Sequence, residues 1–204
     1  MASFSRWIRL AGSALLPLLG SACTLTRAGY SSAPYSVLQR SGPVEFRHYS
    51  QIRVAQTPTA PESMGRDGSF MRLFRFISRG NADARKIPMT TPVLFRGQTG
   101  NATLAFVLPS DMDTVPAPLQ SDVQIETIPE GTYATLRVSK RGPESLSPAA
   151  LSQLREAVQS AGMRTVGNPE HAAYDPPWIP SFWQRNEIRW RVASASSTPA
   201  SPRH

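Results

Sequence analysis

The clearest periodic pattern in the chain runs from residue 70 to residue 77. Large apolar side chains recur there at the helical spacing i, i+3, i+4 and i+7, at Phe70, Leu73, Phe74 and Ile77. Gly80-Asn81 follows, and both residue types tolerate the left-handed conformation that ends a helix. The pattern therefore predicts an amphipathic helix that stops at about residue 80.

Segments rich in apolar and β-branched residues predict strands on both sides of this helix. They are residues 35–40, 44–57, 87–95, 103–108, 123–128, 132–138, 172–174 and 187–192. A second helix is predicted after Ser147, a good N-cap residue, with Pro148 at its first position. Because strand, strand, helix, strand occurs twice, in residues 35–96 and 102–192, we expect an α+β fold built from two pseudo-repeats.

Composition and charge are those of an ordinary globular domain. The chain has 204 residues, of which 40% are hydrophobic, which is enough for one domain with a real core. The net charge is +8, but the arginines are spread along the chain without a run. A nucleic-acid partner is therefore not predicted. Weak attraction to anionic lipid headgroups or to ligand carboxylates is expected instead.

Residues 1–22 have the layout of an export signal peptide. Two arginines precede an apolar run at residues 10–19, and a small-residue cleavage site follows. The run is too short for a transmembrane helix. Cys23, the only cysteine, comes directly after the cleavage site, as in bacterial lipoproteins, where this cysteine is acylated. Gly20 stands where lipoproteins prefer leucine, so cleavage without lipidation stays open.

The regions that flank the predicted domain are poor in large apolar residues. Residues 23–34 are rich in Ser, Ala, Gly and Thr, which predicts a flexible tether. Residues 193–204 form a Ser/Pro/Ala tail that is expected to be disordered. The folded domain is therefore placed at residues 35–192.

Three motifs, in the right order, resemble those of the SOUL haem-binding protein family. Residues 70–93 match F-x-x-L-x-x-[FY]-I-x-x-x-N followed by K-I-x-M-T-x-P-V. Residues 174–178 and 185–187 supply Y-D-P-P-W and R-N-E, and residues 45–49 supply E-F-R-H-Y. The resemblance spans roughly residues 35–192. It implies a distorted barrel-like sheet of about eight strands, two helices packed against it, and a bound haem or related tetrapyrrole.

The resemblance also implies where the ligand lies. The family places its tetrapyrrole against the first helix, which in this chain corresponds to Phe70, Met71, Phe74 and Arg75, with Ile179 near the rim of the pocket. Arg75 is expected to pair with a propionate. The plainer alternative is that Phe70 and Phe74 are simply core, because a pocket wall and a core face have the same composition.

His48 is the candidate axial ligand of the haem iron. A single histidine on a strand is more often a surface or hydrogen-bonded residue than a metal ligand. Some SOUL-type proteins have a histidine at this place in the motif, proposed as an axial ligand, and one such ligand is enough for five-coordinate haem. Others lack it and hold haem by apolar contact, so both alternatives stay open. His171 is placed in a loop and His204 in the tail.

The sequence thus predicts an exported haem or tetrapyrrole carrier, buffer or sensor. It would be lipid-anchored at the periplasmic face of a bacterial membrane, more readily the outer than the inner one. One alternative is an envelope small-ligand sensor or interaction protein with the same barrel. Another is an enzyme acting on tetrapyrroles, which is not favoured because HExxH, CxxC, G-x-S-x-G and phosphate-loop motifs are all missing. Arg85 and Lys86 are considered as partners for Glu187.

Overall fold

The computed structural model describes residues 30–97, 100–176, 178–180 and 182–195. Two α-helices lie within them, α1 (Ser69–Ile77) and α2 (Pro148–Ser160). The strands are β1 (Ser31–Ser32), β2 (Tyr35–Ser41), β3 (Val44–Tyr49), β4 (Ile52–Pro58), β5 (Thr90–Thr91), β6 (Val93–Arg96), β7 (Thr103–Val107), β8 (Gln124–Ile128), β9 (Gly131–Val138), β10 (Met163–Thr165), β11 (Glu170–Ala173) and β12 (Asn186–Ser194). Within these ranges no helix is both long and apolar enough to cross a membrane.

Ten of these strands form one antiparallel sheet that curls strongly into a half-barrel. Its order is β2-β3-β9-β12-β11-β6-β7-β4-β8, and β10 pairs with β12 beside this path. The predicted α+β class and barrel-like sheet are confirmed. The strand count is higher than the eight expected, partly because the predicted strand at residues 44–57 is interrupted after Tyr49 and becomes β3 and β4.

The sheet order shows how the two pseudo-repeats interlock. The first repeat runs β3-β4-α1-β6-β7 and the second runs β8-β9-α2-β11-β12. The two halves meet where β6 pairs with β11. The first strand of each repeat lies in the other half, since β3 pairs with β9 and β8 pairs with β4. Each repeat is therefore completed by a strand of the other.

Strand register shows that both helices lie on the same face of the sheet. Phe95 of β6 is opposite His171 of β11, and His171 is in turn opposite Ile188 of β12. Directly paired residues point to the same face. Phe95 packs in the cluster under α1 and Ile188 in the cluster under α2, so the helix-bearing face is continuous across β6 and β11.

The opposite face lines the inside of the half-barrel. Its apolar cluster draws side chains from strands far apart in the sheet order, including Tyr49 of β3, Leu94 of β6 and Ile128 of β8. Such distant strands share one cluster only if the sheet curls around it. The chain therefore has two different surfaces for a ligand, an inner face and a helix-bearing face.

The end of α1 differs in detail from the sequence prediction. The helix stops at Ile77, and the left-handed residue is Arg79, with φ of 81°. Gly80 is required for another reason, because a Cβ atom there would lie 2.6 Å from the carbonyl oxygen of Arg75. The buried side-chain amide of Asn81 then donates to the carbonyls of Phe76 and Arg85 and fixes the turn.

The domain also begins and ends slightly outside its predicted limits. Ser31 and Ser32, predicted as tether, pair in parallel with β5. At the other end, β12 continues to Ser194. The predicted signal peptide, Cys23, residues 24–29 of the tether and the tail from residue 196 lie outside the described residues.

Candidate ligand cavity

An apolar cavity of about 310 Å³ opens on the helix-bearing face where the two repeats meet. Its floor includes Val93 and Ala173, which are paired across β6 and β11. One wall is α1, through Phe70 and Phe74, whose rings stack with their centroids 6.2 Å apart and their planes 13° apart. The cavity therefore follows from the two-repeat topology, which leaves a groove between α1 and the second half of the sheet.

Large apolar side chains extend the cavity to the surface. Met71 and Phe74 on α1 are 48% and 41% exposed, and Trp178 on the other side is 75% exposed. Tyr30 and Met89 also contribute to the lining. Exposed aromatic groups around an apolar depression are typical of a binding surface rather than of a closed core.

Arg141 gives this apolar cavity a cationic group. Its guanidinium Nε is buried and has no hydrogen-bond partner among the described residues. Burial and the nearby guanidinium of Arg66 lower the pKa of Arg141, and Asp175 opposes them. A buried donor without an acceptor is unfavourable, so a ligand carboxylate that reached it would gain a charge-assisted hydrogen bond.

His171 lies beside the cavity, two residues before Ala173 and on the same face of β11. It is buried, its ring centroid is 5.4 Å from that of Phe95, and the side chain of Asn186 lies beside the imidazole and partly offsets the effect of burial on its pKa. Burial and the positive charge of Arg141 lower the pKa of His171 to about 4. The imidazole is therefore neutral at neutral pH. The sequence had placed it in a loop, because the strand was predicted to start after it.

The structure brings some of the predicted site residues together and separates others. Phe70, Met71 and Phe74 line the cavity. Arg75 is not part of the lining and lies exposed on α1. Ile179 is not part of it either, and sits half-buried in a turn where its carbonyl accepts from the side chain of Gln184.

His48 lies away from this cavity. It is half-buried on β3, on the same face as Phe46, which packs under α2. Strands β9 and β12 stand between β3 and β11. His48 is opposite Thr132 of β9, whereas Ala173 of the cavity floor is in line with Val138, six residues farther along β9. The fold does not place His48 with the residues predicted to hold the tetrapyrrole.

Sequence reasoning missed Arg141, Trp178 and Tyr30 as lining residues. Trp178 stands inside a motif already identified, and its exposure could have been suspected from its neighbouring prolines. Arg141 follows the end of β9 with no local pattern around it. Only the tertiary fold brings it to α1.

The inner face of the half-barrel carries buried ion pairs, and a depression of about 420 Å³ opens beside Arg96, Glu126 and Glu170. Glu187 accepts from Nη1 and Nη2 of Arg47 at 2.7 and 3.2 Å and from Nε of Arg185 at 2.8 Å. Its pKa is lowered because these guanidiniums outweigh the effect of burial. The pairing of Glu187 with Arg85 or Lys86 considered from the sequence is wrong, since Glu187 points into the half-barrel and Arg85 follows α1 on the other face.

Other depressions are larger but differ in chemistry. One of about 570 Å³ lies between α2 and β9, and one of about 520 Å³ lies beside β1 and β4. The depression between α2 and β9 is lined largely by serine, charged and amide side chains. Within the described residues no group of three or more His, Cys, Asp or Glu side chains could hold a metal ion. The cavity beside α1 is thus the candidate for an apolar ligand.

Solved structures with the same fold come from proteins of distant sequence. The cryo-EM structure of an EcmrR–DNA complex matches with a TM-score of 0.54 and 13% identity over 74% of this chain, which spans only 57% of that one. An uncharacterized conserved protein from Listeria innocua matches with a TM-score of 0.52 and 11% identity, over 74% of this chain and 92% of that one. At such identities these similarities show the fold alone.

No match was found among curated proteins. A family model described as SOUL heme-binding protein matches residues 30–191, which is most of the chain and nearly the whole described structure. The protein therefore belongs to the SOUL heme-binding protein family.

Proposed function

We propose that the protein binds haem or a related tetrapyrrole, with one edge of the macrocycle in the cavity beside α1. The observation that carries this proposal is an apolar cavity, walled by Phe70 and Phe74 and lined also by Arg141, whose buried Nε has no hydrogen-bond partner among the described residues. A porphyrin has the matching chemistry, a flat apolar ring with carboxylates at one edge.

The size of the cavity fits part of a porphyrin. Its 310 Å³ stands at the lower end of the range of about 300–1,000 Å³ for ligand pockets. Met71, Phe74 and Trp178 continue the apolar surface outward and would cover the part of the ring that protrudes. In this arrangement the aromatic side chains exclude water from the ring faces, and Arg141 holds a carboxylate.

We favour apolar contact over histidine ligation as the mode of binding. His48 lies on β3, and β9 and β12 stand between it and the strand that carries the cavity floor. Haem would supply its redox and ligand-binding chemistry at the iron, whereas this chain would supply the apolar slot and the carboxylate partner. Ligation by His48 remains the alternative that a His48→Ala variant tests.

A smaller apolar ligand is the second candidate, and the volume of the cavity favours it. A molecule of about 300 Å³ would fill the cavity without protruding. This reading makes the protein an envelope small-ligand sensor or interaction protein. It predicts weak or non-stoichiometric tetrapyrrole binding together with tight binding of a compact apolar carboxylate.

The place of action is part of the proposal. The layout of residues 1–22 and the position of Cys23 support export and acylation, which would anchor a carrier, buffer or sensor at the periplasmic face of a bacterial membrane. Mass spectrometry of the N-terminal peptide from the native host tests this directly. Acylated Cys23 is expected, and an unmodified Cys23 at the mature N-terminus would leave free secretion as the correct account.

A haem titration followed by absorption tests the ligand. The wild type is expected to give a saturable Soret band at one haem per chain, and Phe74→Glu is expected to weaken binding at least about tenfold because a carboxylate would sit against the ring. Leu119→Glu is the matched control, because Leu119 is also an exposed large apolar residue but lies outside the cavity. Equal loss in both variants, or no saturable binding, would contradict the proposal.

A further inference from the structure

The loop between β11 and β12 exposes an unusual amount of aromatic surface. Trp178, Phe182 and Trp183 are 75%, 76% and 65% exposed. Their backbone is held by turns, since Ile179 N–H donates to the carbonyl of Pro176 and Trp183 N–H donates to that of Pro180. Exposed aromatic clusters of this kind mark a surface that meets an apolar partner.

Trp178 connects this loop to the cavity. Trp178 lines the cavity together with Met71 and Phe74, which are also exposed. We call these three residues, with Phe182 and Trp183, the docking rim. Arg75, one turn of helix from Met71, adds a positive charge beside it.

The path of the chain indicates what the rim faces. Tyr30 lies in the cavity lining, only seven residues after Cys23. Seven residues span at most about 25 Å when fully extended. A lipid on Cys23 would therefore keep the cavity and its rim within about 25 Å of the membrane surface.

The chemistry of the rim suits a lipid interface. Tryptophan is enriched where a membrane meets water, because its ring is apolar and its N–H is polar. Arg75 and the net charge of +6, which remains after Arg6 and Arg9 are removed with the signal peptide, favour anionic headgroups. A second protein or a second copy of this chain could also cover aromatics, but neither accounts for the short connection of seven residues between Cys23 and the cavity lining.

We propose that the docking rim inserts into the headgroup region of an anionic bilayer and turns the mouth of the cavity toward lipid. Resting on the proposed function, this orientation lets an amphipathic tetrapyrrole pass between bilayer and cavity without crossing bulk water. The acyl chain and the rim then act as two separate attachments, which together hold a protein at a membrane far better than one.

Vesicle binding by the non-acylated chain from residue 23 onward tests the rim without the lipid anchor. This chain contains every described residue, and the assay contains no tetrapyrrole. Binding to phosphatidylcholine vesicles with phosphatidylglycerol is expected to exceed binding to phosphatidylcholine alone. The variant Trp178→Ser/Phe182→Ser/Trp183→Ser is expected to partition at least about tenfold more weakly.

Leu38→Ser/Leu119→Ser is the matched control, because these residues are 57% and 69% exposed and lie outside the rim. It should bind vesicles within about twofold of the wild type. Brominated lipids should quench wild-type fluorescence through Trp178 and Trp183, whereas the buried Trp190 of the triple variant should be unaffected. Wild-type binding by the triple variant, or a dimer that buries Trp178, would overturn the proposal. The haem titration uses no vesicles and the vesicle assay uses no haem. The haem-binding proposal and the membrane-docking proposal can therefore fail independently.

Discussion

Arg141 is the cationic residue of the cavity lining, which also includes the carboxylate of Asp175. Its Nε is buried without a hydrogen-bond partner among the described residues, and the nearby Arg66 adds a second positive charge. Arg75, the residue chosen from the sequence for the same role, lies exposed outside the lining. The proposed carboxylate partner therefore lies in the segment that follows β9 instead of on α1.

Comparison of the binding of a porphyrin diacid with that of its dimethyl ester measures how much the charge of Arg141 contributes to affinity. Arg141→Met keeps an unbranched side chain but removes the charge, so it should weaken binding of protoporphyrin about tenfold or more. Binding of the dimethyl ester should barely change, because that ligand has no carboxylate. Arg75→Met is the control and should leave both affinities unaltered. An equal loss for acid and ester would mean that Arg141 acts only through packing.

The buried His171 should make the free energy of unfolding depend on pH. Its pKa is about 4 in the folded chain, against about 6.5 when unfolded, so the unfolded state binds the proton more tightly between these values. Stability contributed by the neutral imidazole is fully present above pH 6.5 and is lost as the pH falls toward 4. From pH 7 to pH 5 the free energy of unfolding should fall by about 2 kcal/mol.

Urea denaturation at several pH values checks this expectation. His171→Leu removes the titrating group at a buried site and should flatten the dependence between pH 7 and pH 5. The range from pH 7 to pH 5 isolates His171, because Glu187 and other carboxylates with lowered pKa lose their stabilising charge only at lower pH. A pH dependence equal to that of the wild type would show that His171 is not its source.

At the scale of elements, the Arg47–Glu187 pair ties two strands that are not neighbours. Arg47 lies on β3 and Glu187 on β12, with β9 between them. Both side chains are almost fully buried, at 6% and 2% exposure. Removing one charge of such a pair leaves the other charge unpaired in a region of low dielectric constant. Glu187→Gln should therefore cost about 3–5 kcal/mol of stability.

Glu126→Gln is the matched control on the same inner face. Glu126 pairs with Arg96 at 2.8 Å, but its side chain is 37% exposed, so its loss should cost about 1 kcal/mol or less. Denaturant midpoints of the two variants, measured side by side at pH 7, separate the effects. Similar losses in both would indicate that Glu187 contributes through hydrogen bonding alone.

Local patterns were sufficient for the helices and most strands. The apolar spacing from Phe70 to Ile77 identified α1, and the hydroxyl of Ser147 accepts from the N–H of Ala150 at the start of α2, as predicted. Residues 44–57 were read as one strand because β-rich composition continues through the break after Tyr49. The short strands β1 and β10 were missed because two or three residues carry no periodicity.

At the scale of the whole molecule, the pairing of each repeat with the first strand of the other could not be read from the sequence. Such pairing joins β3 to β9 and β4 to β8, far apart in the chain. The same topology brings Ala173, Arg141 and Phe74 to one cavity. The family motifs were enough to locate α1 and the cavity wall that it forms. The residues that face α1 across the cavity are set by long-range packing, which sequence periodicity does not encode.

The family signature is explained largely by this packing. The amide of Asn81 closes the turn after α1, Ile87 is buried in the core, and the hydroxyl of Thr90 donates to the carbonyl of Val107. Of the second half of the signature, Met89 and Val93 line the cavity. The motifs thus supply the fold and part of the apolar lining, whereas Arg141 lies outside them.

A crystal structure of the chain with haem bound is the measurement that tests the central claim most directly. The account predicts the porphyrin edge between Phe74 and Trp178, with a propionate oxygen within hydrogen-bond distance of Arg141. His48 should be unliganded on the other half of the sheet. A porphyrin held by His48, or one bound away from the cavity beside α1, would contradict the account.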